Sequence, residues 1–227
     1  MISENINLEN DIYYKNDYAK LYVDDNSSLF RFDYREGESL FINLAIKSPI
    51  DKIGLSDYNE GYYDLETPYG YGGFYTNDIN VDFVGRAIGK YRERCHDENV
   101  IAEFIRFHPF NPFPHEFVKL FDRCIYDRNV AVVNLQLSHD ERWKQYSGNT
   151  RNILRSCSKT QTFQRTENIE KFVDLYYETM KKNEADKFYY FDRKYFHDLL
   201  NLDGVHLYEV VYEGKSIAMS FLCVHRK

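Results

Sequence analysis

The sequence predicts an α/β protein with mixed sheets, an α+β arrangement in two similar halves. Apolar side chains alternate at residues 29–34, which is the period of a half-buried strand, and residues 205–212 are also predicted to form a strand. Each run leads through a charged glycine turn into a second strand-like run, as in a hairpin. A Tyr-rich helical pattern precedes each hairpin, so we expect an internal duplication.

Composition indicates a globular protein and restricts its class. The chain has 227 residues, of which 43% are hydrophobic and 29% charged, enough to build real cores. The net charge of −7 argues against a dedicated nucleic-acid binder, whose surface is usually basic, but it leaves room for a local basic pocket.

Cysteine and histidine spacing predicts neither a metal site nor a disulfide framework. The cysteines are scattered without a C-x-x-C pair, and we expect free thiols in a reducing compartment. The N-terminus lacks the basic and apolar regions of a signal peptide, and no apolar run has membrane-spanning length. We therefore expect a cytoplasmic protein without a membrane span.

Residues 1–137 are expected to form the first domain. Asp78 is predicted to cap a helix with Val81, Val84, Ile88 and Tyr91 inward. The predicted elements are a helix at 11–22, strands at 29–34, 39–46 and 62–65, a glycine-rich loop at 67–78, a helix at 78–94, a strand at 100–107, irregular chain at the prolines of 108–115, a short helix at 116–121 and a buried strand at 130–137.

Residues 138–227 are expected to form the beginning of a second domain. Ser138 and Glu141 match a capping box, which predicts a helix start. Asp192 is expected to cap another helix. The remaining predicted elements are a helix at 169–180 and a hairpin of strands at 205–212 and 216–224. Because the chain reaches its last residues directly after this hairpin, we expect the second domain to be truncated.

A basic stripe is the most distinctive local pattern. Ser147 and Gly148 interrupt the helix after Ser138, and either Asn149 or Thr150 is expected to cap the next one. On that second helix a series of cations at i, i+4 and i+8 lies on one side: Arg151, Arg155 and Lys159. A line of cations at a helix N-terminus suits a phosphate or carboxylate. The alternative is a solvated basic face.

Five short motifs then occur in a fixed order. They are Thr-Pro-Tyr-Gly-Tyr-Gly-Gly at 67–73, Phe-Ile-Arg-Phe-His-Pro at 104–109, Trp-Lys-Gln-Tyr-Ser at 143–147, Thr-Arg-Asn-Ile-Leu-Arg at 150–155 and Tyr-Glu-Gly-Lys-Ser-Ile-Ala at 212–218. Together, over nearly the whole chain, they resemble the FemAB-type acyltransferases, the tandem-domain branch of the GNAT superfamily. The resemblance implies two GNAT-like domains facing a cleft, the second incomplete.

The resemblance implies an N-acyltransferase that moves an acyl group, from acyl-CoA, to an amine of a cell-wall or surface-polysaccharide precursor. The acceptor would be a nucleotide- or lipid-linked sugar or peptide. One alternative is transfer from aminoacyl-tRNA to a peptidoglycan stem peptide, although the chain lacks the long helical arm of some tRNA-using relatives. Another is a truncated, inactive binding module. In the family a strand and a helix that meets the donor pyrophosphate follow the last hairpin, and both are missing here.

Candidate site residues follow from these motifs. His108 is the candidate base because its side chain titrates near neutral pH; the alternative is a histidine that caps a proline-rich turn. Arg106 ends a predicted strand, where ligands gather in α/β sheets. Loop glycines admit a ligand to the backbone, and the tyrosines can stack on a base or sugar; the alternative is a plain surface loop. The candidate substrate-binding residues are Tyr69, Tyr71, Gly72, Gly73, Arg106, Tyr146, Arg151, Asn152 and Arg155.

Overall fold

Strand β2 is the centre of the first sheet. In this computed structural model, which describes residues 7–50 and 61–224, strands β1 (Ser28–Glu36) and β2 (Ser39–Pro49) form an antiparallel hairpin. Every residue from 40 to 46 is buried, because both faces of β2 are covered. Gly37 makes the turn with φ of 56°, a conformation that glycine adopts at little cost.

Three further strands complete a mixed sheet. Strand β3 (Tyr63–Glu66) and the two-residue β4 (Tyr75–Thr76) both pair antiparallel with β2. Strand β5 (Val100–Phe104) pairs parallel with β3. The predicted mixed sheet is therefore confirmed, and the parallel pair is joined through the connection that contains α2 (Val81–Asp97).

Aromatic side chains fill the space between the sheet and α2. Phe41 of β2 is fully buried, and its ring centroid lies 5.4 Å from that of Phe74 and 5.8 Å from that of Phe113. Phe113 begins the short helix α3 (Phe113–Glu116), which a 3₁₀ turn, Val118–Leu120, follows. Burial of large aromatic rings is the main stabilising contribution in this unit.

The opposite face of β2 is covered by the N-terminal segment. The predicted helix at 11–22 is instead two 3₁₀ turns, Leu8–Asn10 and Ile12–Tyr14, followed by the short helix α1 (Asn16–Lys20). Asn7 and Asp11 each accept a backbone N–H two residues on, and such side-chain bonds compete with a continuous helix.

The start of α2 also differs from the prediction. Asn80, not Asp78, caps the helix, because its side chain accepts the N–H groups of Asp82 and Phe83 at 3.0 and 3.1 Å. Val81 is the first residue of the helix and is 74% exposed, so its predicted inward position is wrong. The other residues expected to face inward are buried: Val84, Ile88 and Tyr91.

A second compact unit, Asp127–Val224, follows the first, which takes in the described residues up to Tyr126. Its elements are α4 (His139–Gln145), α5 (Gly148–Cys157), β6 (Gln161–Thr166), α6 (Ile169–Lys182), a 3₁₀ turn at Lys187–Tyr189, α7 (Arg193–Leu200), β7 (Val205–Tyr212) and β8 (Lys215–Cys223). The strands form an antiparallel sheet in the order β6-β7-β8. The predicted caps at Ser138 and Asp192 are confirmed.

Two strand assignments in this region were wrong or missed. Residues 130–137, predicted to be a buried strand, form no strand, and residues 130–136 are exposed; Leu135 is 79% exposed. An apolar run becomes a strand only where a neighbouring strand pairs with it. Conversely, β6 has no apolar alternation, and its pairing with β7 supplies the backbone hydrogen bonds that make it a strand.

In the first unit, the strand predicted at 100–107 ends at Phe104.

Truncation of Phe41 tests the assignment of the core. We expect Phe41→Ala to lower the free energy of unfolding by about 3–5 kcal/mol, because it removes a buried ring and leaves a cavity. Val81→Ala, at an exposed position, should change it by less than about 0.5 kcal/mol. Urea unfolding followed by circular dichroism measures both. Equal effects of the two substitutions would show that Phe41 is not in the core.

Glu209 of β7 tests the packing of the second unit. Its buried carboxylate accepts hydrogen bonds from Ser216, from Gln164 at 2.8 Å and from Lys171 at 3.2 Å. These bonds, led by that from Ser216, lower its pKa to about 2. The stability it contributes is present above its ordinary pKa and is lost as pH falls towards 2. Thermal unfolding of Glu209→Gln should therefore depend less on pH between 5 and 2 than that of the wild type.

Candidate functional site

The glycine-rich loop lies along the end of β5. We call residues 67–73 the strap. The Thr67 N–H donates to the Phe104 carbonyl at 3.1 Å, and the Gly72 N–H donates to the Arg106 carbonyl at 2.9 Å. These backbone bonds continue the parallel pairing of β3 with β5. The motifs at 67–73 and 104–109, separate in the sequence, are therefore one local structure.

The carbonyl of Gly72, a buried residue of the strap, accepts two hydrogen bonds. It accepts the His108 N–H at 3.3 Å and the buried Tyr14 hydroxyl at 3.0 Å. Burial raises the pKa of Tyr14 far above its ordinary value, so this hydroxyl is always a donor. A Cβ on Gly72 would lie 3.2 Å from the Thr67 methyl group. Gly72 is thus fixed by internal contacts.

The other strap glycines also serve internal packing. Gly70 has φ of 106°, and an added Cβ would lie 2.5 Å from Cε1 of Tyr13. Gly73 has φ of 83°, and an added Cβ would lie 2.4 Å from Cγ2 of Ile105 and 3.0 Å from the Phe107 ring. The contacts at 2.5 and 2.4 Å are shorter than real Cβ atoms show, so a side chain at either position would force Tyr13 or Ile105 to shift. At these glycines, other side chains of the protein approach the strap backbone closely, in the place where a ligand was expected to do so.

His108 is buried beneath the strap, with 9% of its side chain exposed. Its Nδ1 accepts the Phe110 N–H at 3.2 Å, which places the proton of the neutral ring on Nε2. Nε2 lies 4.0 Å from the Asp11 carboxylate, and the ring packs against Tyr13 and Tyr71. A base at His108 would need the Phe110 bond to break, or the Nε2 proton to move towards Asp11.

Two candidate side chains on this surface reach solvent. Tyr69 is 40% exposed; its carbonyl accepts the Tyr18 hydroxyl at 2.7 Å, and its ring centroid lies 6.4 Å from that of Tyr22. Arg106 is exposed and its charge acts on Glu66, where it opposes the rise in pKa that burial causes. An aromatic face can stack on a ring, and a guanidinium can bind an anion.

In the second unit the Arg151 guanidinium binds carbonyl groups at the C-terminus of the preceding helix, α4. Its Nη1 donates to the carbonyls of Tyr146 at 2.9 Å, Lys144 at 3.2 Å and Trp143 at 3.5 Å. These are carbonyls at the C-terminus of α4, where a cation is stabilising. The cap of α5 is Ser147, whose Oγ accepts the Thr150 N–H at 3.1 Å; the expected caps, Asn149 and Thr150, were wrong.

The expected stripe of cations is shorter than predicted. Helix α5 ends at Cys157, so Lys159 lies outside it. Arg155 lies over the Trp143 ring at 5.4 Å and donates to Asn152 Oδ1 at 3.3 Å. Tyr146, which is 37% exposed, contacts the Trp143 ring edge-on at 6.2 Å. Arg155 is thus engaged with the Trp143 ring, and Arg151 with the end of α4.

The structure brings the candidates together in two separate groups. The first unit holds Tyr69, Tyr71, Gly72, Gly73, Arg106 and His108, and the second holds Tyr146, Arg151, Asn152 and Arg155. Tyr14 and Asn111 were not predicted to belong to this structure; Asn111 donates to the Tyr14 hydroxyl at 3.2 Å and to the Phe74 carbonyl at 2.7 Å. No local pattern links positions so far apart in the chain.

Within residues 7–50 and 61–224, no cluster of three or more His, Cys, Asp or Glu side chains is arranged to hold a metal ion. None of the helices in these ranges has the length and apolarity needed to cross a bilayer. The chain matches no model of a known protein family and none of the curated proteins with which it was compared.

A pair of glycine substitutions tests the packing of the strap. Gly73→Ala should destabilise the first unit, because the new Cβ would clash with Ile105 at a positive φ. Gly85→Ala, at an exposed helical position with no atom within 4 Å of the added Cβ, should stabilise the protein by about 0.5–1 kcal/mol. Urea unfolding measures both. Stabilisation by Gly73→Ala would contradict the strap geometry.

Proposed function

We propose that the chain is a FemAB-type N-acyltransferase with GNAT-like units, whose first unit binds an amine-bearing precursor of the cell wall or of a surface polysaccharide. The order of elements in the first unit supports this proposal. A hairpin, β1–β2, is followed by two further strands, β3 and the two-residue β4, then by helix α2 and by β5, which pairs parallel with β3. The resemblance implies a strand and then a helix after the hairpin of the second unit, and the first unit has its elements in a similar order.

The N-terminus of α2 favours acceptor binding over donor binding in this unit. Its first N–H groups are taken up by the Asn80 side chain. Asp78 also lies here and accepts the Asn80 N–H at 2.9 Å, while Asp82 occupies the first turn. Fixed carboxylates repel a pyrophosphate, which a helix N-terminus would otherwise attract. The donor, acyl-CoA in this proposal, would bind elsewhere.

The strap supplies the acceptor surface in the proposal. The Tyr69 ring stacks on the base or sugar of a nucleotide-linked precursor, and Arg106 pairs with its phosphate or carboxylate. The amine then attacks the thioester carbonyl of the donor. A C–N bond forms, the C–S bond breaks, and the amine proton passes to a base and from there to the departing CoA thiolate. His108 remains the predicted base, on condition that its Phe110 bond opens or that its Nε2 proton moves towards Asp11.

A second candidate is a binding module that keeps this acceptor surface without performing transfer. The acidic N-terminus of α2 favours it, since this helix end then repels a donor pyrophosphate. The two candidates share the same ligand surface and differ only in turnover.

The test combines binding and transfer in the full chain. A UDP-linked amino sugar is titrated by calorimetry, and its acetylation with acetyl-CoA is followed by mass spectrometry. Tyr69→Ala should weaken binding about tenfold or more, because a stacked ring contributes roughly 1–3 kcal/mol. The matched control is Tyr212→Ala, at a tyrosine that is 39% exposed in the second unit.

The outcomes separate the candidates. Binding with acetylation of the amine supports the acyltransferase. Binding that Tyr69→Ala weakens, without acetylation, supports the binding module. Failure of the sugar to bind, or equal weakening by Tyr69→Ala and Tyr212→Ala, would overturn both assignments of the strap surface.

A further inference from the structure

Glu66 and Arg106 lie on the same face of the first sheet, beside the strap. Leu65 of β3 is buried in the aromatic core, and Ile105 and Phe107, which follow β5, pack against that core. Successive side chains of an extended chain point to opposite faces. The side chains of Glu66 and Arg106 therefore lie on the face away from the aromatic core, and both residues are exposed.

The strand register brings these two opposite charges close together. Glu66 and Phe104 are Cα partners in the parallel pair of β3 with β5, and Arg106 is two residues further on. The Arg106 N–H donates to Oγ1 of Thr67, the residue after Glu66, at 3.1 Å, so the two chains stay adjacent here. A strand spacing of about 4.8 Å and a two-residue rise of about 6.6 Å put the Cα atoms of Glu66 and Arg106 roughly 8 Å apart.

The two charges nevertheless do not pair with each other. Among the residues that the structure describes, neither the Glu66 carboxylate nor the Arg106 guanidinium has a hydrogen bond or an ion pair. The nearby cation Lys47 is bonded to Glu98 at 2.7 Å instead. Direct contact between two exposed, long side chains gains little, so both charged groups stay available to a third group.

The charges of this face act on the Glu66 carboxyl. Partial burial raises the pKa of Glu66, the neighbouring Asp64 carboxylate raises it further, and the Arg106 guanidinium opposes both effects. Burial also raises the pKa of Asp64, which lies on the same face two residues earlier. A bound ammonium group would stabilise the ionised carboxylates, and a bound anion would pair with the guanidinium. The face is therefore complementary to a ligand that carries both charges.

The Tyr69 ring borders the same face. Ile46 of β2 is the Cα partner of Glu66, so the two side chains share a face, and Ile46 belongs to a buried cluster against which Tyr22 packs. The centroid of the Tyr22 ring lies 6.4 Å from that of Tyr69. An exposed ring, a carboxylate and a guanidinium thus surround one open surface.

We propose that Glu66 binds the ammonium group of the acceptor while Arg106 binds an acidic group of the same molecule, so that this pair selects ligands that carry both charges. The inference rests on the proposed function, which assigns the ligand surface to Tyr69 and Arg106, and it adds Glu66 as the residue that recognises the amine. It restricts the ligand class to molecules whose amine lies within a few bonds of a phosphate or carboxylate, because one ligand has to reach both side chains.

Two nucleotide sugars that differ only in the amine test this selectivity. Binding of UDP-glucosamine and of UDP-glucose to the full chain is measured by calorimetry. We expect the wild type to bind UDP-glucosamine about tenfold more tightly or better, because a hydrogen bond between two charged groups is stronger than one from a hydroxyl.

Three variants assign this preference to one carboxylate. Glu66→Gln should abolish the preference for the amine and leave the affinity for UDP-glucose largely unchanged. Glu66→Asp, which keeps the carboxylate on a shorter side chain, should keep part of the preference. The control Glu93→Gln, at an exposed carboxylate of α2, should keep all of it.

The outcomes distinguish this inference from the proposed function. Loss of the preference in Glu66→Gln, with its retention in Glu93→Gln, supports the inference. Equal affinity of the wild type for the two sugars, or an unchanged preference in Glu66→Gln, overturns it while the ligand surface of the proposed function still stands. Failure of both sugars to bind overturns the proposed function and this inference with it.

A second measurement tests the charge pair without a ligand. Carbon-13 NMR of labelled glutamate carboxyls follows the titration of Glu66, whose resonance is identified by its absence in Glu66→Gln. Arg106→Gln removes the opposing positive charge and should raise the pKa of Glu66. The control Lys90→Gln, at an exposed cation of α2, should leave that pKa unchanged. A Glu66 pKa that does not respond to Arg106→Gln would show that the two groups are not neighbours and would overturn the inference.

Discussion

Burial of β2 on both faces is the constraint on which the first unit depends. Phe41 and Ala45 face the aromatic core beneath α2, while Leu40 and Ile42 face the N-terminal segment. A strand covered on both sides requires two layers to pack on it. This explains why short 3₁₀ turns and a five-residue helix cover one face: they need only fill that surface, and their stability comes from the packing.

The strap follows from the same packing. The Tyr14 hydroxyl reaches the Gly72 carbonyl from the N-terminal segment, and Asn111 fixes that hydroxyl from the other side. The Thr67 N–H, the Gly72 N–H and the Gly72 carbonyl are satisfied inside the protein, and the strap glycines allow ring and methyl contacts that a side chain would prevent. Among the candidate side chains of this unit, Tyr69 and Arg106 are exposed. The candidate site is therefore smaller than its sequence motif.

The sequence predicted those features that depend on local chemistry. Both hairpins, the capping box at Ser138 and the cap at Asp192 are present because a turn or a cap involves neighbours in the chain. The sequence did not predict features that depend on contacts with residues distant in the chain. The apolar residues 130–137 form no strand, while the polar β6 does, through β7. Of the three cations expected to line one side of a helix, Lys159 lies outside α5, Arg151 donates to the end of α4 and Arg155 lies over Trp143.

A single experiment can test the proposed ligand surface of the strap directly. The measurement is the ¹H–¹⁵N NMR spectrum of the full chain during titration with a UDP-linked amino sugar. We expect chemical-shift changes centred on the amides of residues 69–73 and 106–108. The exposed Tyr69 ring and Arg106 guanidinium adjoin these two segments, whose backbones are hydrogen-bonded to each other. Changes confined to other parts of the chain, or no change at any ligand concentration, would contradict it.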